Sequence, residues 1–412
     1  MIVVICVAAV GGLLLMAQDQ ETLRVRSPIG AADARHPTYL AALVGAPLTR
    51  ENAFEVLQNG DAAFSRMLAD IWAARQRISF ESFIYGEGEV SAAFTDALSN
   101  AAARGVEVRI VLDAFGSSKL PATSQSALTG SGAKIVWFNP LRPWTVEETN
   151  YRTHRKVLVV DGRVAYTGGM GLADHWRGDA RSSEEWRDTQ FRATGPIVRA
   201  LEASFYENWL ESGGREAPVL DLGHPPDVGQ VTALAAWSNA TGGTSNVKLL
   251  YLLAIAAARQ TLDIQSPYFL LDESTRFALH DARARGVAIR VLTEGEQTDA
   301  MPVKFASHNG YDALLSDGLQ IFEYEPTMMH VKVMLVDGVL AVFGSANFDN
   351  RSFELNDELT VATWDRDLAA QLTRAFDRDA ERSRHWTLED WRRRGLLTRV
   401  RERFWGAFGE VF

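Results

Sequence analysis

The chain carries one pattern of eight residues twice, as His154-Arg155-Lys156-Val157-Leu158-Val159-Val160-Asp161 and as His330-Val331-Lys332-Val333-Met334-Leu335-Val336-Asp337. In both copies a glycine, Gly168 or Gly344, follows at the same distance from the histidine. The apolar run inside each copy predicts a buried strand, and the Asp-Gly pair after it predicts a turn. A strand with incidental polar neighbours is the alternative interpretation, but two copies in register favour duplicated chemistry.

The histidine and the lysine of each copy are two positions apart. On an extended strand their side chains therefore point to the same face and can reach one ligand. The chain has only six lysines, and Lys156 and Lys332 are two of them. An ammonium is a compact point charge whereas a guanidinium is a planar fork, so lysine here indicates a cation beside a reacting anion. The pattern predicts His154, Lys156, His330 and Lys332 as catalytic residues.

The repeat extends beyond the two motifs. Ala73-Ala74-Arg75-Gln76 recurs as Ala257-Ala258-Arg259-Gln260, and Ala103-Arg104-Gly105-Val106 recurs as Ala284-Arg285-Gly286-Val287. In each half a helix, a strand, a second helix and a second strand follow one another. The predicted strands are 77–85, 106–113, 261–269 and 287–294. Strands that alternate with helices predict an α/β fold made of two related units.

Glycine and proline accumulate between the two units, in residues 211–230, which indicates an inter-domain connection. We expect four segments, which are a hydrophobic N-terminal segment (1–20), a first lobe (45–215), a second lobe (230–380) and a basic amphipathic tail (381–412). The 412 residues are enough for two cores. The net charge of −10 argues against a nucleic-acid partner, because contacts to nucleic-acid phosphates need a basic surface.

The first 17 residues form an uncharged apolar run at the short end of what spans a bilayer. The run lacks the basic start and the cleavage site of a secretory signal, so we expect an anchor; an incomplete signal and a misplaced start codon are the alternatives. Arg24, Arg26 and Arg35 follow the run and no positive charge precedes it. This asymmetry favours the inner membrane, with the catalytic lobes in the cytoplasm.

The tail is basic and aromatic. Its apolar residues recur at helical spacing and arginines lie between them, as in Leu397, Arg399, Val400, Arg403 and Phe404. Such a helix can lie on an anionic membrane surface. It can equally pack on the core as a terminal helix, and Gly406 and Gly409 weaken it. The sequence leaves both possibilities open.

At these residues the chain resembles the phospholipase D superfamily, and within it the bacterial cardiolipin synthases. The resemblance spans roughly residues 52–372. It is supported by Asn150-Tyr151-Arg152-Thr153, by Ser266-Pro267-Tyr268-Phe269 and by the segment from Gly344 to Ser352. The resemblance implies two α/β sandwich lobes related by a pseudo-twofold axis, with both motifs in one active site. It also implies that the site needs no metal and no other cofactor.

The resemblance also implies roles for individual residues. Asp188 and Glu358 would each accept a hydrogen bond from a catalytic imidazole. Asn347 resembles the family's phosphate-binding asparagine, and we place Ser345 and Gly169 in the same phosphate-binding set. Asp161 and Asp337 complete the two catalytic motifs, although their position at a strand-to-turn junction suggests a structural role. One departure concerns Gly171, which stands where the family often has a second asparagine.

Two histidines and two lysines suit phosphodiester chemistry. A neutral imidazole can attack phosphorus and form a phosphohistidine while a second imidazole protonates the leaving alkoxide. The lysines would stabilise the pentacoordinate transition state. We expect one imidazole to be neutral and the other to be held as imidazolium by a carboxylate.

The resemblance therefore predicts a phosphatidyltransferase that passes a phosphatidyl group through His154 to phosphatidylglycerol or another alcohol. Its expected partners are phospholipid substrates and an anionic membrane surface. A hydrolytic phospholipase D is the nearest alternative. A nuclease of the same superfamily and an inactive lipid-binding or scaffolding protein are the others, although all six motif residues are present.

Overall fold

The strands of the two repeats join in one mixed sheet. The computed structural model describes residues 22–140, 150–219, 229–240 and 242–409, and fifteen of the strands in these ranges form one row. In chain order the strands are β1 (Leu48–Gln58), β2 (Arg77–Ser82), β3 (Glu107–Asp113), β4 (Lys134–Phe138), β5 (Arg152–Thr153), β6 (Val157–Val160), β7 (Val164–Gly168), β8 (Thr189–Thr194), β9 (Val231–Trp237), β10 (Thr261–Gln265), β11 (Phe269–Leu270), β12 (Ala288–Glu294), β13 (Gln320–Tyr324), β14 (Val333–Val336), β15 (Leu340–Gly344), β16 (Phe348–Asp349), β17 (Asn356–Asp357), β18 (Leu359–Trp364) and β19 (Ser383–Trp386). The α-helices are α1 (His36–Val44), α2 (Asn59–Ala73), α3 (Glu89–Ala103), α4 (Ala122–Gly130), α5 (Ile197–Glu211), α6 (Asn246–Ala257), α7 (Glu273–Ala284), α8 (Met301–Ser316), α9 (Arg366–Glu381), α10 (Leu388–Arg392) and α11 (Leu396–Gly406).

The order of the strands repeats about the middle of the sheet. From the centre outward the first half places β1, β8, β7, β6, β2, β3 and β4 side by side. The second half places β9, β18, β15, β14, β10, β12 and β13 in the corresponding order and adds β19 at its edge. At the centre β1 and β9 pair antiparallel, with Leu48 opposite Leu234. Two copies of one arrangement thus meet about a pseudo-twofold axis, which confirms the predicted α/β fold of two related units.

The strand after each motif histidine is buried on both faces. In β6, Val157 and Val159 point into one core, while the alternate residues point into another. Residues of both halves form the first core together with α5 and α9, and Phe191 and Phe343 stack there with ring centroids 3.7 Å apart. Helices α2 and α3 cover the second core in the first half, and α6 and α7 cover its counterpart in the second half. Burial on both faces explains the continuous apolar run in each motif.

The two motif aspartates close turns at the far end of these strands. Asp161 and Asp337 have left-handed φ angles of 52° and 51°. Each carboxylate accepts three backbone N–H groups at 2.7–3.2 Å, from residues 75–77 for Asp161 and from residues 259–261 for Asp337. In each half the motif aspartate therefore holds the backbone at the end of the repeated A-A-R-Q segment, where the next strand begins. Both carboxylates are occupied by backbone at the end of the strand opposite the histidines, which favours a structural role, and the catalytic assignment of Asp161 and Asp337 stays a prediction.

The predicted strands have nearly the predicted positions. Those predicted at 77–85 and 261–269 end earlier, at Ser82 and Gln265. The chain turns at these points, where the hydroxyl of Ser82 donates to the carbonyl of Ile84 and that of Ser266 donates to the carbonyl of Tyr268, both at 2.7 Å. Local hydrogen bonds between a serine and the backbone two residues on favour a turn over a continued strand.

Helix α1 and the described part of the C-terminal tail pack on the second half. The expected N-terminal anchor, residues 1–17, lies outside the described residues, and so do residues 220–228 of the expected connection. Among the residues that the structure does describe, no helix combines the length and the hydrophobicity needed to cross a bilayer. The C-terminal tail folds as β19, α10 and α11, and Trp386 and Trp391 are buried in the core of the second half. The start of the tail therefore packs on the protein, as one of the two interpretations of its sequence predicted, and the membrane interpretation stays a prediction.

Candidate active site

The two motif histidines lie at the junction of the two halves. Strand β5, which leads to His154, pairs with β17 of the other half, and the N–H of His154 donates to the carbonyl of Asp357 at 2.9 Å. By the same symmetry the N–H of His330 donates to the carbonyl of Arg187 at 2.7 Å. The backbone around each histidine is thus held by the other half of the chain.

Each imidazole is paired with a carboxylate from the opposite half. Nδ1 of His154 lies 2.9 Å from Oε1 of Glu358, and Nδ1 of His330 lies 2.8 Å from Oδ2 of Asp188. Both carboxylates are fully buried, each directly before the strand that starts at the next residue. These bonds leave Nε2 as the ring nitrogen available for chemistry in both histidines. The structure therefore brings the four predicted residues together in two crossed pairs.

Two buried lysines complete this cluster. Nζ of Lys156 donates to the carbonyl of His154 at 2.9 Å, and Nζ of Lys332 donates to the carbonyl of His330 at 3.0 Å. Nζ of Lys332 also lies 3.1 Å from Nε2 of His330. Within the described residues neither ammonium forms an ion pair with a carboxylate. Two buried cations without a carboxylate partner are costly, and an anionic ligand is the simplest compensation.

Burial also controls the protonation of the cluster. It lowers the pKa of His154 to about 4 and, with the neighbouring Lys332, lowers the pKa of His330 well below its usual range. Burial lowers the pKa of Lys156 to about 7 and that of Lys332 to about 8. Both imidazoles are therefore favoured as neutral bases, which differs from the expected imidazolium. A bound phosphodiester would raise the pKa of an imidazole through its negative charge, so the acid form belongs to the complex.

The two carboxylates differ in their protonation. Burial pushes the pKa of Glu358 upward, but His154 and Lys156 outweigh it and lower the pKa overall, so Glu358 is ionised at neutral pH. Burial raises the pKa of Asp188 to about 6, even though Lys332 opposes the shift. The first half-site, His154 with Glu358, is therefore the one with the more firmly ionised acid.

A second donor holds each carboxylate. The hydroxyl of Ser345 donates to Oε2 of Glu358, while the indole N–H of Trp176 donates to Oδ2 of Asp188 at 3.0 Å. Gly169 occupies the position that corresponds to Ser345, and a Cβ atom there would lie 2.5 Å from Oδ1 of Asp188. The expected phosphate contacts of Ser345 and Gly169 stay predictions, and in the structure both residues lie beside the carboxylates. Ser345 holds its acid directly, and Gly169 leaves room for the other.

Gly171, which stands where the family often has an asparagine, lies against the ring of Trp176. A Cβ atom on Gly171 would lie 3.1 Å from the Trp176 ring, so the glycine lets the indole approach. The Trp176 ring contacts the His330 ring edge-on, with ring centroids 5.4 Å apart. The centroid of the Trp186 ring lies 5.3 Å from that of His330. His175, to which the sequence assigned no role, packs on both indoles. The sequence did not predict this group of aromatic rings, formed by His175, Trp176 and Trp186, around His330. The one hint in the sequence was Trp186, two residues before Asp188.

Asn347 lies two residues beyond Ser345 and is buried. Its backbone N–H donates to the hydroxyl of Ser352 at 3.0 Å, so the backbone amide is already used. The side-chain oxygen has no hydrogen-bond partner among the described residues. A buried amide oxygen without a partner can accept a hydrogen bond from a ligand. No group of three or more His, Cys, Asp or Glu side chains within the described ranges is arranged to hold a metal ion.

Comparison with known proteins identifies relatives over most of the chain. A family model described as "Cardiolipin synthase, PLD-like domain" matches residues 67–178 and 251–380. Cardiolipin synthase A of Pseudomonas putida strain GB-1 is 35% identical over 347 residues, which cover 84% of this chain and 72% of that protein. Cardiolipin synthase of Geobacillus kaustophilus is 32% identical over 401 residues, 95% of this chain and 78% of that protein.

The fold has a counterpart among solved structures. The phosphatidylserine synthase of Haemophilus influenzae superposes with a TM-score of 0.68 over 91% of this chain and 99% of that chain, at 11% sequence identity. At this identity the likeness concerns the fold alone. The matched residues of the family model include both motifs and both crossed His–carboxylate pairs except Asp188, which lies between the two matched segments. The chain belongs to the cardiolipin synthase family of phospholipase D-like proteins.

Proposed function

We propose that this protein is a phosphatidyltransferase that makes cardiolipin from two molecules of phosphatidylglycerol. The observation that carries the proposal is the pair of buried lysines without a carboxylate partner beside two neutral imidazoles. Such a site binds an anion and supplies both a nucleophile and a proton donor. The relatives named above as cardiolipin synthases support phosphatidylglycerol as the substrate.

In the first step Nε2 of His154 attacks the phosphorus of phosphatidylglycerol. A P–N bond forms, the P–O bond to the headgroup glycerol breaks, and His330, protonated on Nε2 in the complex with the anionic substrate, donates that proton to the leaving oxygen. The phosphorylated imidazole carries positive charge, which the ionised Glu358 stabilises through Nδ1. Lys156 and Lys332 balance the negative charge that accumulates on the phosphoryl oxygens. Glycerol leaves with the proton from His330.

In the second step the headgroup hydroxyl of another phosphatidylglycerol attacks the phosphohistidine. Neutral His330 accepts the hydroxyl proton, a P–O bond forms, and the P–N bond to His154 breaks. Cardiolipin leaves and both histidines return to their starting states. Asp188 keeps His330 in the tautomer that presents Nε2 in both steps. The side-chain amide of Asn347 would donate to a phosphoryl oxygen.

The proposal extends to the place where the protein works. We assign residues 45–215 and 230–380 to two catalytic lobes that act on an anionic membrane surface. Residues 1–20 would anchor the chain in the inner membrane, and Arg24, Arg26 and Arg35 would keep the lobes on the cytoplasmic side. A periplasmic reporter fused after Phe412 tests this orientation, and activity of the reporter would contradict it.

The reaction itself is tested by its products. Purified protein is incubated with phosphatidylglycerol that carries a labelled headgroup, and the lipid and aqueous products are quantified. We expect one labelled glycerol released for each cardiolipin formed, and phosphatidylethanol when ethanol is added as a competing acceptor. Phosphatidic acid without cardiolipin would show a hydrolase instead. The His154→Ala variant is the control for contaminating activity.

A further inference from the structure

Helix α11 turns its apolar side to solvent. Four large apolar side chains lie on one face of this helix, because residues three or four positions apart are neighbours on a helix surface. Their exposed fractions range from 56% to 86%, in Leu396, Leu397, Val400 and Phe404. Core-packing helices bury such a face, and an exposed patch of this kind indicates an interaction surface. We call these four residues the apolar stripe.

The opposite side of α11 fixes the helix to the protein. Glu402 is buried there and accepts hydrogen bonds from Nδ1 of His308 at 3.0 Å and from Arg394. The guanidinium of Arg401 lies 3.8 Å from the centroid of the Phe305 ring. The helix thus buries its one acid and exposes its apolar residues. This orientation is set by named contacts, so the apolar stripe is a fixed feature of the surface.

Arginines border the apolar stripe. Residues 392–403 include six arginines and a single acid, Glu402, in a chain of net charge −10. Two of the arginines, Arg399 and Arg403, are exposed and form no ion pair among the described residues. Apolar residues flanked by free arginines match a surface with an apolar interior and anionic headgroups. An apolar protein partner would not require that ring of positive charge.

The chain just beyond α11 reaches a strand that neighbours the site residue Asn347. Helix α11 packs on α8, where Arg401 contacts the Phe305 ring and Glu402 contacts His308. At the C-terminal end of α11, a Cβ atom on Gly406 would lie 2.6 Å from the side-chain amide of Asn309, in the middle of α8. Beyond that end, a Cβ atom on Gly409 would lie 3.5 Å from Leu270 in β11. Strand β11 pairs with β16, which begins directly after Asn347.

We propose that the apolar stripe of α11 inserts into the headgroup region of an anionic phospholipid bilayer and places the active site against its lipid substrate. This inference rests on the proposed function for its purpose, but the insertion itself does not require turnover. Met301 at the start of α8 and Phe115 after β3 are further large apolar side chains exposed on the surface.

A probe on the helix tests the insertion. Cys6 is the only cysteine, so a Cys6→Ser background allows one polarity-sensitive fluorophore at Leu397→Cys in the full chain. The matched control is Trp72→Cys, because Trp72 is 46% exposed and lies beside the start of β2, at the opposite edge from the histidines. The vesicles are phosphatidylcholine with or without phosphatidylserine.

When the vesicles contain phosphatidylserine, we expect the emission of the fluorophore at position 397 to shift to the blue and to be quenched by brominated acyl chains. The emission of the fluorophore at position 72 should not change. Arg399→Gln with Arg403→Gln should raise the lipid concentration for half-maximal signal roughly 25-fold, at about fivefold per arginine. A probe at 397 that stays in water would overturn the proposal. So would a shift that grows with protein concentration without vesicles, which would assign the stripe to a second copy of the chain. If insertion occurs and no cardiolipin is made, the proposed function fails while this surface stands.

Discussion

Replacing Glu358 by glutamine isolates the charge that the second half contributes to His154. Glu358 is fully buried, its Oε1 lies 2.9 Å from Nδ1 of His154 and its Oε2 accepts the hydroxyl of Ser345. Glutamine has the same shape, so its oxygen can still accept from Nδ1. Its amide nitrogen would face Ser345, whose hydroxyl can donate to the carbonyl of Leu359, already 3.3 Å away. The tautomer of His154 is kept and the negative charge is lost.

The expected cost follows from the positive charge that His154 acquires when it binds phosphorus. Two unit charges about 4 Å apart attract by about 4 kcal/mol at an effective dielectric constant of about 20. Glu358 is ionised at neutral pH, because His154 and Lys156 overcome the effect of burial on its pKa. Losing this attraction in the transition state corresponds to a roughly thousandfold fall in kcat.

Single-turnover and steady-state rates on phosphatidylglycerol in detergent micelles measure this effect. Glu358→Gln should lower kcat about a thousandfold and leave KM nearly unchanged, because the charge acts mainly after attack. The control is Glu202→Gln, which removes an equally buried carboxylate that pairs with Arg77 at the opposite end of β2. That variant should lose stability and keep kcat. A Glu358→Gln enzyme within tenfold of the wild-type kcat would refute the charge argument.

Three further predictions concern the motifs. His154→Ala and His330→Ala should each reduce turnover by several orders of magnitude, since each imidazole fills a role that the other cannot take while occupied; near-normal rates in either variant would contradict a single shared site. Because burial lowers the pKa of Lys156 to about 7 and that of His154 to about 4, kcat/KM should fall as the pH rises through about 7 and persist well below pH 6.5. Lys156→Arg should lower kcat/KM and move this alkaline limb upward, and an unmoved limb would assign it to another group. Asp161→Ala should lower the free energy of unfolding by about 1–3 kcal/mol in urea titrations with kcat unchanged, whereas lost activity in a folded variant would support the catalytic assignment of Asp161.

The parts of the fold that the sequence predicts are those encoded by local pattern. The apolar run Val157–Val160 indicates a strand, and the Asp161-Gly162 pair indicates the turn after it. Duplication then indicates two related units, because the same local signals recur in the same order. Asp161 itself shows the limit of such reasoning. Its pattern marks it as part of a catalytic motif, but its partners are backbone N–H groups 84 to 86 residues earlier in the chain.

The pairing within the site depends on contacts that no local pattern contains. His154 and Glu358 are 204 positions apart, and His330 and Asp188 are 142 positions apart. A resemblance to known motifs supplied the four residues, but only the sheet order decides which acid meets which histidine. Trp176 was missed altogether, because an indole in a single turn of 3-10 helix carries no spacing signal and its function follows from its contact with Asp188.

The crossed pairs explain why the chain carries the motif twice. A single lobe would hold a histidine and a lysine from its own motif, but its acid would face away toward the partner lobe. His154 therefore depends on Glu358 for charge, and His330 depends on Asp188 for orientation, so neither half-site is complete without the other. Once both lobes belong to one chain, the two halves can diverge. Ser345 on one side and Trp176 on the other hold the two acids by different donors. This difference gives the two histidines different surroundings, which is what a reaction with one nucleophile and one proton donor requires.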